Sequence, residues 1–475
     1  MSAGEIRCLV TGATGYVGSR LMPRLLDRGY RVRAMARNPD KLADVPWRDR
    51  AELVWGDLGD LDSLVAAFDG VDVVYYLVHS MGTSKDFVAD EGRAAHNVVT
   101  AARRAGVRRL VYLSGLHPPG TQLSPHLESR KAVGDILLGS GIETIVLQAG
   151  VVVGSGSASF EMIRHLTDRL PVMTTPKWVH NKIQPIAVGD ILHYLVAAAT
   201  AEVPSSRTWD IGGPDVLEYG DMMRIYADVA GLGKRYLIVL PFLTPTIASL
   251  WVGTVTPIPP GLARPLIESL ECDAVMRDHD IDTAIPPPPG GLTRYRRAVA
   301  LALNRAARGL VDATWSDAYP DGAPAEALPS DPDWAGEIVY TDVRTLLTPV
   351  DQAELWKVVQ KITETTGGGS RWYSYPLSTM ARGRAQRWTV EDHESGNLLR
   401  LHAERRAPGE AWLEMRVTPG PGAGSRYEQR AIFLPRGVTG RLYWYVFRLW
   451  HVLALRAMAR NVVESATASR FDLKK

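Results

Sequence analysis

The chain of 475 residues is long enough for two or three domains, and a single hydrophobic core is not expected to hold all of it. Hydrophobic residues make up 46% and charged residues 22%, values typical of a folded globular protein, which excludes a collagen-like fibre, a coiled coil and wholesale disorder. The 54 lysines and arginines nearly balance the 52 aspartates and glutamates, so we expect no nucleic-acid partner.

Residues 6–154 alternate short β-branched runs with helical patterns. The runs predict strands at 6–12, 31–37, 51–57, 71–78, 108–115 and 143–154, and the amphipathic patterns predict helices at 16–28, 61–68, 90–105 and 127–138. Strands and helices that alternate at this spacing are typical of a parallel sheet covered on both faces. The predicted fold class is therefore α/β, with an N-terminal doubly wound Rossmann sheet.

This regular alternation ends after the sixth predicted strand. Residues 155–314 carry helices, prolines and loops, and we expect them to form mainly a helical substrate lid over the carboxyl ends of the strands. Residues 315–334 are rich in Pro, Ala, Asp and Ser without periodicity, as a linker would be. The predicted organisation is an N-terminal domain at 1–314, a linker at 315–334 and a C-terminal domain at 335–475.

The C-terminal domain has a different pattern. A helix is predicted at 351–365, several strands follow, and a long helix is predicted at 438–465. Along one strand Leu413, Met415 and Val417 alternate with other residues, which is the period of an antiparallel sheet with one buried face. The order of helix, sheet and terminal helix resembles the helix-grip fold of START-related lipid-binding domains, so we expect an α+β domain of that kind.

A glycine-rich turn follows the first predicted strand and opens the first helix. The residues expected to bind a cofactor there are Gly12, Thr14, Gly15, Tyr16, Val17 and Gly18. Glycines at this spacing allow a tight turn, a close approach of the backbone to a pyrophosphate, and close packing of helix on strand. The free N–H groups of the helix start would bind the phosphates of a dinucleotide.

The residues after the second and third strands bear on which dinucleotide binds. An acidic residue about 20 positions after the turn would bind the ribose 2′-hydroxyl of NAD, but Arg37 stands there, and Arg33 on the same strand could share its role. A guanidinium pairs with a 2′-phosphate, which favours NADP over NAD. Asp57 and Leu58 follow the third strand, where the carboxylate could accept from the adenine amino group or cap the next helix.

These motifs resemble the short-chain dehydrogenase/reductase superfamily, in its atypical and extended branch with a TGxxGxxG turn. The resemblance covers residues 5–300, and the nearest subgroup is NmrA-like and similar to nucleoside-diphosphate-sugar epimerases, often with a fused C-terminal domain. The stretches that carry it are YYLVHSM (75–81), SPHLESR (124–130) and GSGSASFEMIRHL (154–166).

The resemblance also implies where catalysis would occur. Active members of the superfamily carry a Tyr that passes a proton to the substrate oxygen and, four residues later, a Lys that lowers its pKa and holds the nicotinamide ribose. Here those positions hold His126 and Arg130, with Lys131 next to Arg130. His126 could act as acid or base or simply begin the helix, whereas Arg130 could bind cofactor ribose or phosphate in either case. Ser114, which ends a strand, is the nearest hydroxyl for a substrate oxygen.

Other positions extend the expected site. His79 should face the ribose edge of the cofactor or pack in its loop, and Gly150 could present backbone groups to the nicotinamide amide. Asp190 is expected to cap the helix that follows it. No Cys/His or carboxylate cluster has metal-ligand spacing, so no metal is expected.

The predicted lid favours a small apolar substrate. Phe160, Met162, Met173, Trp178 and the stretch 236–260 would line a pocket with few charges, or else form the core of the lid itself.

Three functions agree with these residues. The first is an NADP-dependent oxidoreductase acting on an apolar carbonyl, quinone or lipid-like substrate, against which the missing tyrosine counts. The second is an NADP(H)-binding sensor or assembly factor that does not turn over. The third is a nucleotide-sugar epimerase or dehydratase, which an apolar pocket disfavours because a diphosphate sugar needs several basic groups.

The expected location is the cytoplasm, with peripheral membrane contact as the alternative. Cys8 and Cys272 lie far apart and fit a reducing compartment, and residues 1–10 lack the pattern of an export signal. Two segments suggest the membrane: the apolar stretch 236–260, which prolines interrupt, and the aromatic helix at 442–463 with its arginines. For that helix, core packing against a sheet is the other interpretation.

Overall fold

The computed structural model of the chain describes residues 6–43, 45–78, 87–118, 120, 123–240, 252, 256–304, 340–366, 388–403, 408–420, 424–435 and 437–472. These residues form two compact units, 6–303 and 340–472. The predicted linker at 315–334 lies outside the described residues, so the exact domain boundary stays a prediction.

The first unit is built on a parallel sheet. The strands of the whole unit, in chain order, are β1 (Arg7–Thr11), β2 (Arg31–Ala36), β3 (Glu52–Trp55), β4 (Val73–Tyr76), β5 (Arg109–Gly115), β6 (Glu143–Ala149), β7 (Val152–Val153), β8 (Val172–Thr175), β9 (Lys182–Ile183), β10 (Ile186–Ala187), β11 (Arg207–Ile211), β12 (Leu217–Glu218) and β13 (Tyr236–Val239). One seven-stranded sheet has the order β3-β2-β1-β4-β5-β6-β11, and all its neighbouring strands run parallel. The predicted Rossmann sheet is confirmed.

Helices cover both faces of this sheet. The helices of the unit, those of the lid included, are in chain order α1 (Tyr16–Asp27), α2 (Leu61–Phe68), α3 (Phe87–Ala105), α4 (Pro125–Leu138), α5 (Ala158–Arg169), α6 (Val188–Ala198), α7 (Tyr219–Val229), α8 (Pro260–Glu268), α9 (Ile281–Ala284) and α10 (Tyr295–Asn304). On one face, residues of α2, α3 and α4 share a hydrophobic cluster with Leu9 and Leu110 of the strands. On the other face, the Tyr75 hydroxyl donates to the carbonyl of Leu195 in α6, which packs against α1. The sheet is therefore doubly wound, as the alternating pattern predicted.

The strand order fixes where a ligand binds. The connections turn in opposite directions on either side of β1 and β4, which opens a crevice beyond the carboxyl ends of these strands, and ligands of doubly wound sheets bind there. Thr11 ties the two strands at this point, because its hydroxyl donates to the carbonyl of Tyr75 and accepts from the N–H of Leu77.

The lid differs from its prediction in extent, and of the two interpretations of its apolar residues the structure favours the core of the lid. Within 155–314, β11 belongs to the main sheet and α6 packs on α1, so only part of this range lies over the strand ends. Phe160, Met162 and Met173 are buried in one hydrophobic cluster, with Trp178 packed against it, so these four side chains form the core of the lid. Most of the apolar stretch 236–260, from 241 to 251 and from 253 to 255, lies outside the described residues.

The second unit is an antiparallel sheet with two helices. Its elements are β14 (Tyr340–Thr348), α11 (Gln352–Thr366), β15 (Trp388–Glu394), β16 (Leu398–Ala403), β17 (Gly409–Pro419), β18 (Ser425–Pro435) and α12 (Gly437–Asp472). The strand order is β14-β18-β17-β16-β15, with every neighbouring pair antiparallel. Both the sheet and the long terminal helix agree with the prediction, whereas the resemblance to helix-grip domains stays a prediction.

The two faces of this second sheet differ in chemistry. Leu413, Met415 and Val417 share a buried cluster with residues of α11 and α12, as their spacing predicted. Trp412 and Glu414, on the opposite face, are also buried, so this part of β17 is covered on both sides. Within the described ranges, no helix combines the length and apolar character needed to cross a membrane.

Candidate active site

The turn after β1 is tight and packs closely on the start of α1. Gly12 adopts a φ of 69°, which favours glycine, and its carbonyl accepts a hydrogen bond of 2.8 Å from the N–H of Gly15. A methyl group on Gly18 would lie 2.2 Å from the Gly12 carbonyl oxygen, so only glycine lets α1 pack this closely on the turn. Gly12 and Gly18 thus have the predicted structural roles, a tight turn and close packing of the helix on the strand, whereas contact of the backbone with a pyrophosphate stays a prediction.

The start of α1 fits an anionic ligand. Gly15 precedes the helix without a side-chain cap, and the first helical turn contains no acidic residue. Backbone N–H groups and the positive end of the helix dipole therefore point to the place where phosphates would bind. Thr14 and Val17 are half-buried beside this turn.

Tyr16 connects the turn to the segment after β7. The guanidinium carbon of Arg20 lies 4.0 Å from the centre of the Tyr16 ring, and Arg20 donates to the carbonyl of Ser155. The Tyr16 hydroxyl lies against Gly154, where a methyl group would come within 2.3 Å of it. Tyr16 therefore packs the helix start onto the loop at 154–156.

Arg37 and Arg33 lie in different surroundings. Arg37 is exposed immediately after β2, at the edge where a ribose 2′-phosphate would lie. Arg33 is buried, donates to the carbonyls of Ala67 and Asp69, and forms an ion pair with Glu52. The expectation that Arg33 shares the role of Arg37 is therefore wrong, because its guanidinium is bound to the end of α2 and to β3.

Asp57 does not cap the helix that follows it. One of its carboxylate oxygens accepts from the N–H of Gly59, while Asp60 caps α2 by accepting from Asp62 and Ser63. Asp57 therefore shapes the turn after β3 and remains half-buried there. The side chain of Leu58 packs at the edge of the α2–α4 cluster, and its carbonyl accepts from the amide of Asn97 in α3.

The start of α4 brings Leu127 and Arg130 to the end of β5, with His126 in the same helical turn. Ser124 caps the helix by accepting from the N–H of Leu127, as its position predicted. Arg130 donates to the carbonyl of Leu113 in β5. Lys131 instead pairs with Asp135 on the exposed side of the helix, so Arg130 is the cation that faces the sheet.

His126 is buried and carries no charge near neutral pH. Burial, together with the nearby Arg130 guanidinium, lowers the pKa of His126 from 6.5 to about 3. The imidazole therefore differs from a free one, which titrates near neutrality. Ser114, at the end of β5, is also buried.

A row of polar side chains that the sequence reasoning missed extends from Ser114. Gln148 of β6 is in register with Ser114 of β5 on one side and with Asp210 of β11 on the other, so the three side chains share one face of the sheet. We call Ser114, Gln148 and Asp210 the polar row. Gln148 lies 3.2 Å from the His117 ring, and burial lowers the pKa of His117.

Asp210 is bound by a distant arginine. Its two carboxylate oxygens accept from the side chain of Arg277 at 2.5 and 2.7 Å and from the Arg277 backbone N–H at 3.0 Å. The Arg277 side chain is 40% exposed, whereas that of Asp210 is fully buried. The one feature of the sequence that points to Asp210 is its position near the end of a short strand, before Gly212 and Gly213.

The remaining predicted positions have structural contacts or are not described. Gly150 is packed so closely that a methyl group would lie 2.9 Å from the Gln184 carbonyl. Asp190 does not cap α6, which begins after Ala187; its carboxylate accepts from the N–H and hydroxyl of Thr293. His79 lies outside the described residues.

Comparison with known proteins agrees with this geometry. Residues 12–148 match the family model described as NAD(P)H-binding, and residues 374–458 match one described as a protein of unknown function, DUF2867. The first unit thus has the Rossmann fold that the alternating pattern predicted, and its residues 12–148 match an NAD(P)H-binding domain.

Curated relatives match mainly this domain. A 3 beta-hydroxysteroid dehydrogenase/Delta 5-->4-isomerase from Mycobacterium tuberculosis is 38% identical over 120 residues, which are 23% of this chain and 31% of that protein. Cinnamoyl-CoA reductase 2 from Arabidopsis thaliana is 24% identical over 266 residues, which are 47% of this chain and 77% of that protein. The chain thus spans about a third (31%) of the length of the first of these relatives.

A solved structure has the same fold. An NADPH-dependent quinone oxidoreductase from Escherichia coli, in complex with NADPH, superposes with a TM-score of 0.50 at 18% sequence identity. The superposition covers 62% of this chain and 98% of that one, and it extends the likeness beyond the sheet into the lid.

Proposed function

We propose that this protein is an NADP(H)-dependent oxidoreductase that acts on an apolar carbonyl, quinone or lipid-like substrate. The observation that carries the proposal is the polar row of Ser114, Gln148 and Asp210 along three adjacent strand ends, with the start of α4 at the end of β5. This row lies at the same end of the sheet as the glycine turn, where the nicotinamide of a Rossmann domain meets its substrate.

The surroundings of the second strand support NADP over NAD. Arg37 is exposed directly after β2, with no acid at the position that would bind a ribose 2′-hydroxyl. Since Arg33 is bound to the end of α2, Arg37 would be the guanidinium that pairs with the 2′-phosphate. Asp57 would accept from the adenine amino group through its remaining carboxylate oxygen.

The residues around β5 would carry the chemistry. When bound, the reduced cofactor would supply a hydride to the substrate carbonyl carbon, and the carbonyl oxygen then needs a proton. Ser114 would donate a hydrogen bond to that oxygen. His126, neutral near pH 7, would relay a proton from water to this oxygen by donating from one ring nitrogen and accepting at the other. Arg130 would bind the cofactor ribose or phosphate from the same helix.

The substrate class rests on two observations. The core of the lid is mainly apolar, although it also encloses the ion pair of Glu161 and Arg164, and an apolar lid favours an apolar substrate over a diphosphate sugar. The relatives of the sheet domain are named for a hydroxysteroid, which is largely apolar, and for cinnamoyl-CoA, in which only the cinnamoyl group is apolar.

A second candidate function is an NADP(H)-binding sensor without turnover. The observation that favours it concerns His126 and Arg130, which stand where active members of the superfamily carry a Tyr and a Lys. His126 is buried with a pKa of about 3, and Arg130 already donates to the Leu113 carbonyl. Such a helix would hold the cofactor yet lack an acid with a pKa near neutrality.

Cofactor consumption separates the two functions. The full chain is mixed with NADPH and a panel of ketosteroids, aromatic aldehydes and quinones, and NADPH absorbance is followed. We expect consumption with at least one apolar substrate, and a loss of about 10²-fold in Ser114→Ala because the substrate oxygen loses its donor. Ser140→Ala is the matched control. Ser140 is as buried as Ser114, but it lies just before β6 begins, at the opposite end of the sheet from Ser114. Tight NADPH binding without consumption across the panel would favour the sensor.

A further inference from the structure

The first half of α12 exposes a continuous apolar stripe. Its members, with exposed fractions of 45–79%, are Val438, Leu442, Tyr445, Val446, Leu449, Trp450 and Leu453. They recur every three or four residues, so they lie on one side of the helix. Isolated exposed apolar residues are ordinary, but a stripe of this length on one face marks a binding surface.

A different face of α12 attaches the helix to its own sheet. Trp444 stacks on Phe433 of β18 and on Tyr340 of β14, with ring centres 5.6 and 5.1 Å apart. Further along, Ala459 and Val462 are buried in the sheet's main hydrophobic cluster. Core packing therefore explains one side of the helix, and the stripe lies on another side.

The charges around the stripe have one sign. Between residues 437 and 463 the helix carries Arg441, Arg448, Arg456 and Arg460, and the sequence of this segment has no aspartate or glutamate. Arg448, Arg456 and Arg460 are exposed. Arg456 and Arg460 continue the line of the stripe toward the C-terminus at the same helical spacing.

We propose that the α12 stripe docks this protein on an anionic membrane surface, with the helix lying in the plane of the bilayer. The apolar side chains would enter the boundary between headgroups and acyl chains. Tyr445 and Trp450 are of the residue types that favour this interface, and the arginines would pair with lipid phosphates. A second copy of the chain is a poorer occupant, because it would bring two sets of arginines together without an acidic partner on this segment.

The experiment is cosedimentation of the full chain with vesicles. One vesicle is phosphatidylcholine alone and the other is phosphatidylcholine mixed with phosphatidylglycerol. We expect binding to the anionic vesicle that weakens as salt is added. Leu449→Glu/Leu453→Glu should lower the partition coefficient at least about tenfold, since two apolar contacts are lost and two negative charges are added.

Two further variants make the test specific. Val343→Glu/Leu347→Glu is the matched control, because these residues are 50% and 60% exposed on β14 of the same unit, and it should bind like the wild type. Arg448→Gln/Arg456→Gln should reduce the preference for anionic vesicles and leave the fold unchanged, as followed by circular dichroism.

Three results would overturn the proposal. One is the absence of binding to anionic vesicles by the wild-type chain. Another is an equal loss of binding in the stripe variant and the β14 control. The third is a dimer that light scattering detects in the wild type and not in Leu449→Glu/Leu453→Glu, while vesicle binding stays undetectable. The occupant of the stripe would then be a second copy of the chain.

Discussion

Replacing Gly18 by alanine tests whether the turn after β1 is built for a pyrophosphate. The added methyl group would lie 2.2 Å from the Gly12 carbonyl oxygen and 2.9 Å from its carbonyl carbon. These are backbone atoms, which cannot rotate away as the end of a side chain can. Because such contacts stay above 3.0 Å in proteins, the turn and the start of α1 must separate by about 0.8 Å.

This separation has two costs. Overpacking of this kind lowers the free energy of unfolding by about 1–3 kcal/mol. It also moves the N–H groups of the first helical turn away from the phosphates, where each charge-assisted hydrogen bond contributes roughly 1.5–3 kcal/mol. The dissociation constant for NADPH should therefore rise about tenfold to a hundredfold.

Calorimetric titration with NADPH measures this change, and a thermal melt reports stability. The control is Gly189→Ala, in the first turn of α6, where the added methyl group meets no described atom within 4 Å. This control should be as stable as the wild type or gain about 0.5–1 kcal/mol, with unchanged NADPH affinity. If Gly18→Ala binds NADPH as tightly as Gly189→Ala, the assigned role of the turn is refuted.

Other predictions concern the adenine side, the buried histidine and the polar row. Arg37→Ala should weaken NADPH by about 1.5–3 kcal/mol and leave NADH nearly unchanged in parallel titrations; equal losses for both would rule out a 2′-phosphate contact. Because burial lowers the pKa of His126 from 6.5 to about 3, the unfolded chain binds a proton at this residue between these two pH values and the folded chain does not. Stability should thus fall as the pH drops through this window, by up to about 1.4 kcal/mol per unit, and His126→Asn should flatten that slope in denaturant titrations. An unchanged slope would argue against a buried neutral imidazole. Asp210→Asn should destabilise the first unit by about 1 kcal/mol, because the half-exposed Arg277 loses its charge partner, and an unchanged melting temperature would contradict this.

Local patterns were sufficient to predict the sheet and its cofactor turn. The helix predicted at 61–68 coincides with α2, and the one at 438–465 lies within α12, because capping residues and apolar spacing act over a few positions. The turn at Gly12 to Gly18 was predictable for the same reason, since its glycines are fixed by contacts among themselves.

Contacts between distant segments could not be predicted. Arg277 binds Asp210 across 67 residues, and β11 joins the main sheet from within a range whose pattern is that of a lid. Arg33 and Arg37 look alike in the sequence, yet only the fold shows that one is bound to the end of α2. The pKa of His126 likewise depends on burial, which no spacing of residues reveals.

Transfer of a labelled hydride tests the central claim most directly. The full chain is incubated with NADPH that carries deuterium at both hydrogen positions of the nicotinamide C4 and with a ketosteroid, and the product is analysed by mass spectrometry. An oxidoreductase of the proposed kind predicts one deuterium on the former carbonyl carbon, formed about 10²-fold more slowly by Ser114→Ala and at the wild-type rate by Ser140→Ala. If the deuterium stays on the bound cofactor with the ketosteroid and with every other apolar carbonyl in the panel, the proposed catalysis is contradicted. Cofactor binding would then be the function of the domain.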